Sequence, residues 1–414
     1  MKHFFSFLIL SVIILTANPG FSQKIYQWRG ENRNGIYNET NLLIRWPENG
    51  PELLWSVESI GKGFAAPVVT NKMVLLNGEM NNTSYLFAFD LNGKQLWKSP
   101  NGNEFTGSGY ASGFPGARST PTVFGDIVYS MSGIGRLACY ELATGKEKWA
   151  IDMIKDLGGQ EEEFGFAESP LIDGDIVYCT PGGLVNNLVA LNRFTGKTIW
   201  KSPALSEITS FCSPLLVNLP ARKIIVTMMR HHIIGLDAKN GEQLWSQKIE
   251  NYKYDGDHCN TPVYADGYLF YSTAEENGNG LVKLKLSPDG KKVEEIWRNK
   301  NARNAFGGFV KEGNHIFLTT DKKSLIAVEI DKGQEISSLK PNSGSLIFAD
   351  GLMYCYNDNG DVKLIRFGNN KLEEISRFKI SKGTKEHFSH PVISNGVLFI
   401  RHGNALMAYN IRSK

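Results

Sequence analysis

The sequence predicts an all-β protein, and more narrowly an eight-bladed β-propeller built from four-stranded antiparallel blades. Three observations lead to this prediction. A strand–turn–strand unit recurs along the chain with a fixed spacing of glycine and tryptophan, another strand pair precedes each copy, and half-units stand at the two ends. Four-strand units repeating at roughly 40–50 residues are typical of propellers, because one blade cannot bury both of its faces and a ring of blades can.

The repeated unit consists of two apolar runs around a turn that opens with Asp, Glu or Asn and ends in glycine. The opening side chain can bond turn amides and glycine accepts a positive φ, so each unit is a β-hairpin. In four copies tryptophan follows the glycine by four residues, and we interpret the indole as the surface that one blade packs against its neighbour. These pairs are Gly93 and Trp97, Gly145 and Trp149, Gly196 and Trp200, and Gly241 and Trp245.

Three further copies depart from this spacing. The fifth copy, LVKLKLSPDGKKVEEIWR, is longer and carries Gly290 and Trp297, whereas the sixth and seventh have Ser337 and Ser376 where tryptophan is expected. Eight strand pairs precede the hairpins, and six of them begin at a proline. These prolines are Pro67, Pro121, Pro170, Pro214, Pro262 and Pro391.

The chain ends complete the count of blades. Residues 405–411 form a third strand without its fourth, and residues 51–58 form a fourth strand without its third. Joining them places Trp55 near Tyr409 and closes the ring with an eighth blade.

These patterns divide the chain into a signal peptide at residues 1–22, a lead-in at 23–50 and the propeller at 51–414. Six of the tryptophans are predicted to dock blade on blade. They are Trp55, Trp97, Trp149, Trp200, Trp245 and Trp297.

The first residues predict export. Lys2 precedes an apolar run at Phe4–Ala17, and small residues follow it, so cleavage is expected after Ser22, with Gln23 as the next choice. The run is shorter than the roughly 20 residues that a membrane span needs. The mature chain is therefore expected to be soluble in the periplasm or outside the cell.

Composition excludes several classes of function. Lys and Arg number 45 against 42 Asp and Glu, a net charge of +3, which does not indicate a nucleic-acid surface. Five cysteines at irregular spacings predict neither a disulfide framework nor a zinc site. Cys212 and Cys259 are expected to be free thiols, although a bridge between them is an alternative in an exported protein.

One copy of the repeat resembles a known motif. Ala190, Thr195, Gly196 and Trp200 match the tryptophan-docking motif A-x-D-x-x-T-G-x-x-x-W of quinoprotein alcohol dehydrogenases and their non-enzymatic PQQ-like relatives, while Asn192 departs from its aspartate. The resemblance implies a PQQ-like propeller over nearly the whole mature chain, closest in character to the BamB-like non-enzymatic branch. A fold of this kind hosts many activities, so it does not fix the function.

In such a ring the loops before each first strand and the loops between second and third strands share one face, which we call the mouth. Charged residues gathered there predict a binding site for a small molecule, a glycan or an extended peptide. The candidate ligand-binding residues are Arg118, Glu168, His258, His387, His390, Arg401 and His402. Other residues predicted at the mouth are Phe64, Glu79, Phe211, Cys212, Arg230, His231, His232, Cys259, Glu275 and Phe306.

No metal site is predicted, because His387 and His390 are three residues apart on an extended segment and point to different sides unless a turn intervenes. The leading hypothesis is a monomeric binding or protein-interaction scaffold without a cofactor. A PQQ-dependent alcohol or sugar dehydrogenase, which would also hold calcium, is one alternative. The Cys-Cys pair that the resemblance to those enzymes implies is absent from the sequence. The other alternative is a cofactor-free, polysaccharide-active enzyme that uses the mouth; catalytic residues are not identified for either.

Overall fold

A computed structural model describes residues 24–249, 258–274, 278–304, 308–340 and 343–413. The predicted signal peptide lies outside these residues. The described part is built of strands with a single short 3₁₀ helix, Gly109–Gly113. No helix within it is long and apolar enough to cross a membrane.

The strands form eight sheets, which confirms the predicted eight-bladed propeller. The chain begins with β1 (Ile25–Tyr26), β2 (Ile36–Tyr37) and β3 (Glu52–Val57). Blade 1 contains β4 (Val68–Val69), β5 (Met73–Met80), β6 (Thr83–Asp90) and β7 (Gln95–Asn103), and blade 2 contains β8 (Thr122–Phe124), β9 (Ile127–Met131), β10 (Arg136–Glu141) and β11 (Glu147–Asp152). Blade 3 contains β12 (Leu171–Asp173), β13 (Ile176–Cys179), β14 (Asn186–Asn192) and β15 (Thr198–Pro203), and blade 4 contains β16 (Leu215–Asn218), β17 (Lys223–Met228), β18 (His232–Asp237) and β19 (Gln243–Lys248).

The second half completes the ring. Blade 5 contains β20 (Val263–Ala265), β21 (Tyr268–Ser272), β22 (Leu281–Leu286) and β23 (Val293–Asn299), and blade 6 contains β24 (Val310–Glu312), β25 (His315–Thr319), β26 (Leu325–Glu329) and β27 (Glu335–Leu339). Blade 7 contains β28 (Gly344–Ala349), β29 (Leu352–Asn357), β30 (Asp361–Gly368) and β31 (Lys371–Lys379). Blade 8 contains β32 (Val392–Ser394), β33 (Val397–His402) and β34 (Ala405–Asn410).

The eighth blade joins distant parts of the chain. Strand β3 pairs antiparallel with β34, with Leu53 opposite Tyr409 and Trp55 opposite Ala408. Two other sheets gain a fifth strand from the lead-in, since β1 pairs antiparallel with β8 of blade 2 and β2 pairs parallel with β28 of blade 7.

The hydrophobic core is divided among the seams between neighbouring blades. Eight clusters of buried residues are present, and each draws on two adjacent blades. Tyr129 and Cys139 of blade 2, for example, pack with Val177 and Val189 of blade 3. Burial of apolar surface therefore stabilises the ring seam by seam, which is why a single blade is not a folding unit.

Five of the six predicted tryptophans pack on the hairpin glycine of the next blade. A Cβ added at any of these glycines would lie only 2.4–2.8 Å from the indole, so the contact requires glycine. In four of the five pairs the indole Nε1 also donates to a carbonyl of the same hairpin at 2.8–3.1 Å. The pairs are Trp55 on Gly93, Trp97 on Gly145, Trp149 on Gly196, Trp200 on Gly241 and Trp297 on Gly333.

Trp245 departs from the predicted docking. Its indole lies over Gly235 of its own blade, where a Cβ would be 2.1 Å from the ring, while Leu219 and Ile224 occupy the place on Gly290. The connection between β22 and β23 has six residues, against five in blades 2, 3, 4 and 6. The exchange of contacts thus accompanies a longer hairpin on the next blade.

Candidate binding site at the channel mouth

The lead-in runs through the centre of the ring. Between β1, on blade 2, and β2, on blade 7, its residues reach the first strands of the blades around it. The Trp28 Nε1, for example, donates to the Thr261 hydroxyl of blade 5 at 3.3 Å. One short segment can contact so many blades only where their first strands converge, so the first strands line the channel and the lead-in fills it.

Arg33 ties the lead-in to blades 3 and 4. Its side chain is buried, and its guanidinium donates to the carbonyl oxygens of Ser169, Pro170 and Pro214. Burial lowers the pKa of Arg33 to about 10, so the group remains charged at neutral pH and relies on these carbonyl dipoles for solvation.

Arg29 does the same on the opposite side of the channel. Its guanidinium donates to the carbonyl oxygens of Phe309 at 2.7 Å and Leu346 at 3.1 Å, and to His390 Nδ1 at 3.0 Å. Because Arg29 can only donate, His390 Nδ1 accepts, and burial beside this cation holds the pKa of His390 well below its usual range. His390, predicted as a ligand-binding residue, is thus buried and engaged with the lead-in.

Glu168 lies below the mouth and is also buried. Its Oε1 accepts a hydrogen bond from the backbone N–H of Thr180 at 2.7 Å. Burial raises the pKa of Glu168 to about 7, although the Thr180 hydrogen bonds and the charge of Arg33 act in the opposite direction. Its Oε2 is buried with no hydrogen-bond partner.

Arg401 and His258 are completely buried. The Arg401 guanidinium donates to the carbonyl oxygens of Gly61, Ala65, Asn77 and Gly403, which joins blades 8 and 1. His258 has its Nε2 3.1 Å from the carbonyl oxygen of Arg230, and burial lowers its pKa to about 4. Both side chains thus contact backbone carbonyl oxygens inside the protein.

His387 and His402 form a stacked pair at the mouth. Their ring centroids are 3.7 Å apart with an interplanar angle of 18°, and Tyr356 Oη lies 2.5 Å from His387 Nδ1. His387 and His390, three residues apart, therefore face different surroundings, as the extended segment predicted.

Arg118 is half-buried among aromatic rings. Its guanidinium carbon lies 4.8 Å from the Phe105 ring centroid and 5.5 Å from that of Phe64, and it donates to the carbonyl oxygens of Phe114 and Gly116. Burial lowers the pKa of Arg118 to about 10, with the charge of Glu104 opposing the change.

Of the seven predicted ligand-binding residues, four are therefore buried inside the protein, and ligand binding by the seven stays a prediction. Arg118 and His387 retain partial exposure, while His402 is 8% exposed. Glu275 and Phe306 lie outside the described residues. Cys212 and Cys259 are not joined by a disulfide. Across the described ranges no group of three or more His, Cys, Asp or Glu side chains is placed to hold a metal ion.

The accessible surface of the mouth is aromatic. Six rings from the loops before the first strands of blades 1, 2, 3, 4 and 8 follow one another with centroid spacings of 5.4–6.4 Å. None of them is fully buried, and Tyr110 is 75% exposed. We call these residues the aromatic cluster: Phe64, Tyr110, Phe114, Phe164, Phe211 and Phe388.

The apolar surface extends to blade 3. Leu184 and Val185, in the loop between β13 and β14, are 76% and 59% exposed, and Val185 lies against Gly158 of the loop that carries Phe164. Apart from Phe64 and Phe211, the residues of this surface were not predicted from the sequence. The length of the loops that hold Tyr110, Phe114 and Phe164 was the available signal, because long loops in compact domains are commonly functional.

A family model described as outer membrane protein assembly factor BamB matches residues 82–339, more than half of the chain. The outer membrane protein assembly factor BamB of Shewanella oneidensis is 25% identical over 227 residues, 52% of this chain and 50% of that protein. An uncharacterized protein of Rickettsia conorii is 24% identical over 237 residues, 49% of this chain and 56% of that protein. The chain thus spans about half the length of the curated relatives it matches.

Solved structures share the fold. BamB from Moraxella catarrhalis has a TM-score of 0.63 at 13% identity, covering 87% of this chain and all of that one. The computationally designed Ika8 protein gives 0.59 at 12% identity, with coverage of 87% and 100%. Quinohemoprotein alcohol dehydrogenase from Comamonas testosteroni gives 0.52 at 13% identity, with coverage of 95% and 81%. The chain belongs to the family of outer membrane protein assembly factor BamB, the PQQ-like repeat β-propellers.

Proposed function

We propose that this protein is an exported, non-catalytic scaffold that binds an extended polypeptide segment across its aromatic cluster. The observation that carries the proposal is the run of partly exposed rings on one face of the ring. Contiguous apolar surface of this kind marks interaction sites in soluble proteins. Membership of the BamB family supports a protein partner.

The chemistry of the mouth favours polypeptide over glycan. Glu168, His258, His390 and Arg401, which could have bound sugar hydroxyls, are buried and engaged within the protein. Neighbouring rings of the cluster meet mostly at steep angles, such as 72° between Phe164 and Phe211, so they do not present one flat platform for a sugar ring. Apolar side chains fit between rings arranged this way.

Negative charge beside the aromatic cluster indicates which residues the proposed partner carries. Glu161 and Glu163 are exposed beside Phe164, in the acidic loop that leads into blade 3. Basic side chains flanking an apolar stretch would complement them, and such complementarity steers encounter and fixes register. The proposed partner is therefore an extended segment with apolar residues and flanking Lys or Arg.

The proposal places no cofactor in the protein and treats it as a monomer. Trp28, Arg29 and Arg33 occupy the centre of the channel, which supports binding on the surface of the ring over chemistry inside it. A PQQ-dependent dehydrogenase remains testable. Dye reduction with alcohols or sugars after addition of PQQ and calcium, or quinone absorbance retained by the purified protein, would contradict the non-catalytic scaffold.

The direct test uses fluorescent twelve-residue peptides in which Leu and Phe alternate with Ser between terminal lysines, with fluorescence anisotropy as the readout. The double variant Phe114→Ala, Phe164→Ala should weaken binding at least tenfold, since each ring removed costs about 1 kcal/mol or more. Phe194→Ala, which removes a 45% exposed ring from a hairpin between third and fourth strands, should bind like the wild type.

A parallel glycan array separates the alternatives. Binding of glycans in preference to every peptide would overturn the choice of partner. Equal peptide binding by the wild type and the double variant would show that the aromatic cluster is not the site.

A further inference from the structure

The loop between β31 and β32, residues 380–391, holds part of the aromatic cluster in place. It carries Phe388, whose ring centroid is 5.5 Å from that of Phe64 and 6.4 Å from that of Phe114. Phe388 therefore joins the rings of blade 1 to those of blade 2. The position of this one ring decides whether the aromatic surface is continuous.

His402, at the end of β33, fastens the loop. Its Nδ1 lies 2.7 Å from the carbonyl oxygen of Lys382, and its Nε2 lies 2.7 Å from that of Lys385. Carbonyl oxygens only accept hydrogen bonds, so both contacts form only when both ring nitrogens carry a proton. A neutral imidazole has one N–H and would leave one carbonyl without its donor.

These two bonds hold a part of the loop whose backbone is strained. Lys385 has a φ of +70°, which is unfavourable for a residue with a side chain, and Gly383 has a φ of +92° where a Cβ would meet the His402 carbonyl oxygen. A backbone held in this way needs compensating contacts. The hydrogen bond from Thr384 Oγ1 to Asn404 Oδ1, at 3.0 Å, is an exposed contact and a weaker restraint.

His387 transmits the position of His402 to the cluster. It stacks on His402 and directly precedes Phe388 in the chain. Burial lowers the pKa of His387 to about 4, and the neighbouring His402 contributes to the same direction. The Tyr356 hydroxyl can donate to Nδ1 of a neutral His387, so a neutral ring stacked on a charged one is consistent with every contact of the pair.

Other charged groups surround the pair. The Lys382 ammonium is paired with Glu58 at 2.7 Å, and Lys385 is exposed. Lys379 of β31 disfavours protonation of His387, while Asp358 and Asp361 favour it. The titratable groups nearest to the pair in the fold include Glu58, Tyr356, Asp358, Asp361, Lys379, Lys382, Lys385 and Glu386.

We propose that His402 is a proton-operated latch: its doubly protonated ring orders residues 382–388 and sets Phe388 into the aromatic cluster, so partner binding strengthens when His402 gains a proton. The inference rests on the proposed function, whose site it regulates. With only one proton on the His402 ring, one carbonyl oxygen has no donor and the loop loosens. As pH falls towards 4, His387 charges against His402 and the stack is lost, so binding has a maximum on the acid side of neutrality.

The test measures anisotropy of the lysine-flanked peptides from pH 4 to 8 on the full chain. Wild-type binding should weaken about tenfold between pH 5.5 and 8, the order expected for one lost hydrogen bond to a charged group. His402→Gln, which has no titrating proton, should bind weakly and without this pH dependence. His315→Gln, at a histidine on blade 6, should behave like the wild type.

A second measurement stands apart from partner binding. Hydrogen exchange of residues 381–389, corrected for the intrinsic effect of pH, should show protection near pH 5.5 that is lost by pH 8. If peptides bind with no pH dependence, or if His402→Gln keeps the wild-type dependence, the latch is wrong. If no peptide binds at any pH, the proposed function fails, and the exchange profile alone decides for or against the latch.

Discussion

The backbone N–H of Trp46 donates a hydrogen bond to the hydroxyl of Ser376 at 2.8 Å. Ser376 stands where the repeat of blade 7 would carry its tryptophan. The Trp46 indole is 4% exposed, donates to the Val362 carbonyl oxygen at 3.0 Å and meets Tyr354 and Phe378 edge-on. The lead-in thus supplies at this seam the indole that the repeat lacks.

Replacing Trp46 by alanine should lower the free energy of unfolding by about 3–5 kcal/mol, the range for removing a large buried aromatic side chain. Urea unfolding followed by fluorescence and circular dichroism measures the effect. Ile44→Ala, at a 67% exposed residue of the same segment, should change stability by less than about 0.5 kcal/mol. Equal stability of the Trp46 variant and the wild type would mean that the lead-in does not brace this seam.

The hairpin glycines permit a sharper comparison. Gly196 and Gly174 both have positive φ, +70° and +55°, but a Cβ at Gly196 would lie 2.8 Å from the Trp149 ring, whereas a Cβ at Gly174 would meet nothing within 4 Å. Gly174→Ala should cost about 1–2 kcal/mol for the backbone alone. Gly196→Ala should cost clearly more, because the indole must shift, and its urea midpoint should be the lower of the two. Equal urea midpoints for the two variants would show that the contact between Gly196 and the Trp149 indole does not contribute to stability.

The fold was predictable because its signal is local and repeated. The spacing of glycine and tryptophan repeats along the chain, and each instance constrains a hairpin and the seam beside it. Trp245 is the exception, since its indole lies on Gly235 and the neighbouring hairpin is one residue longer. Spacing within one blade does not encode the length of the hairpin on the next.

The site was less predictable because it depends on contacts between the lead-in and blades that are distant from it in sequence. Glu168 and His390 directly precede first strands, but nothing in the lead-in sequence indicates that Arg29 and Arg33 enter the channel beside them. Because these polar side chains are buried, the exposed surface of the mouth consists of aromatic residues on loops. Loop residues such as Phe164 carry no periodic signal.

Removing the Arg33 guanidinium tests whether the lead-in is part of the folded ring. Arg33→Met leaves the buried carbonyl oxygens of Ser169 and Pro214 without this donor, at roughly 1–3 kcal/mol for each group, while the Pro170 carbonyl oxygen keeps the hydrogen bond from the Thr122 hydroxyl. The free energy of unfolding should fall by at least about 2 kcal/mol, measured by urea denaturation. Arg45→Met, at an arginine whose single bond to a carbonyl oxygen is exposed, should cost less than about 1 kcal/mol. Similar losses of unfolding free energy for both variants would show that the hydrogen bonds of the Arg33 guanidinium do not stabilise the folded ring.

Glu168 predicts a defined pH dependence of stability. Burial raises its pKa from 4.5 to about 7, so the folded state binds a proton more tightly than the unfolded state does. Its contribution is therefore complete below about pH 4.5 and is lost as pH rises to about 7, amounting to about 3 kcal/mol. Glu168→Gln keeps the acceptor for the Thr180 N–H and cannot ionise, so the stability of this variant relative to the wild type should rise between pH 5 and 8. Glu312→Gln, at an exposed carboxylate, should run parallel to the wild type in urea titrations at each pH. A constant difference between Glu168→Gln and the wild type over this range would contradict a buried, proton-binding Glu168 beside the channel.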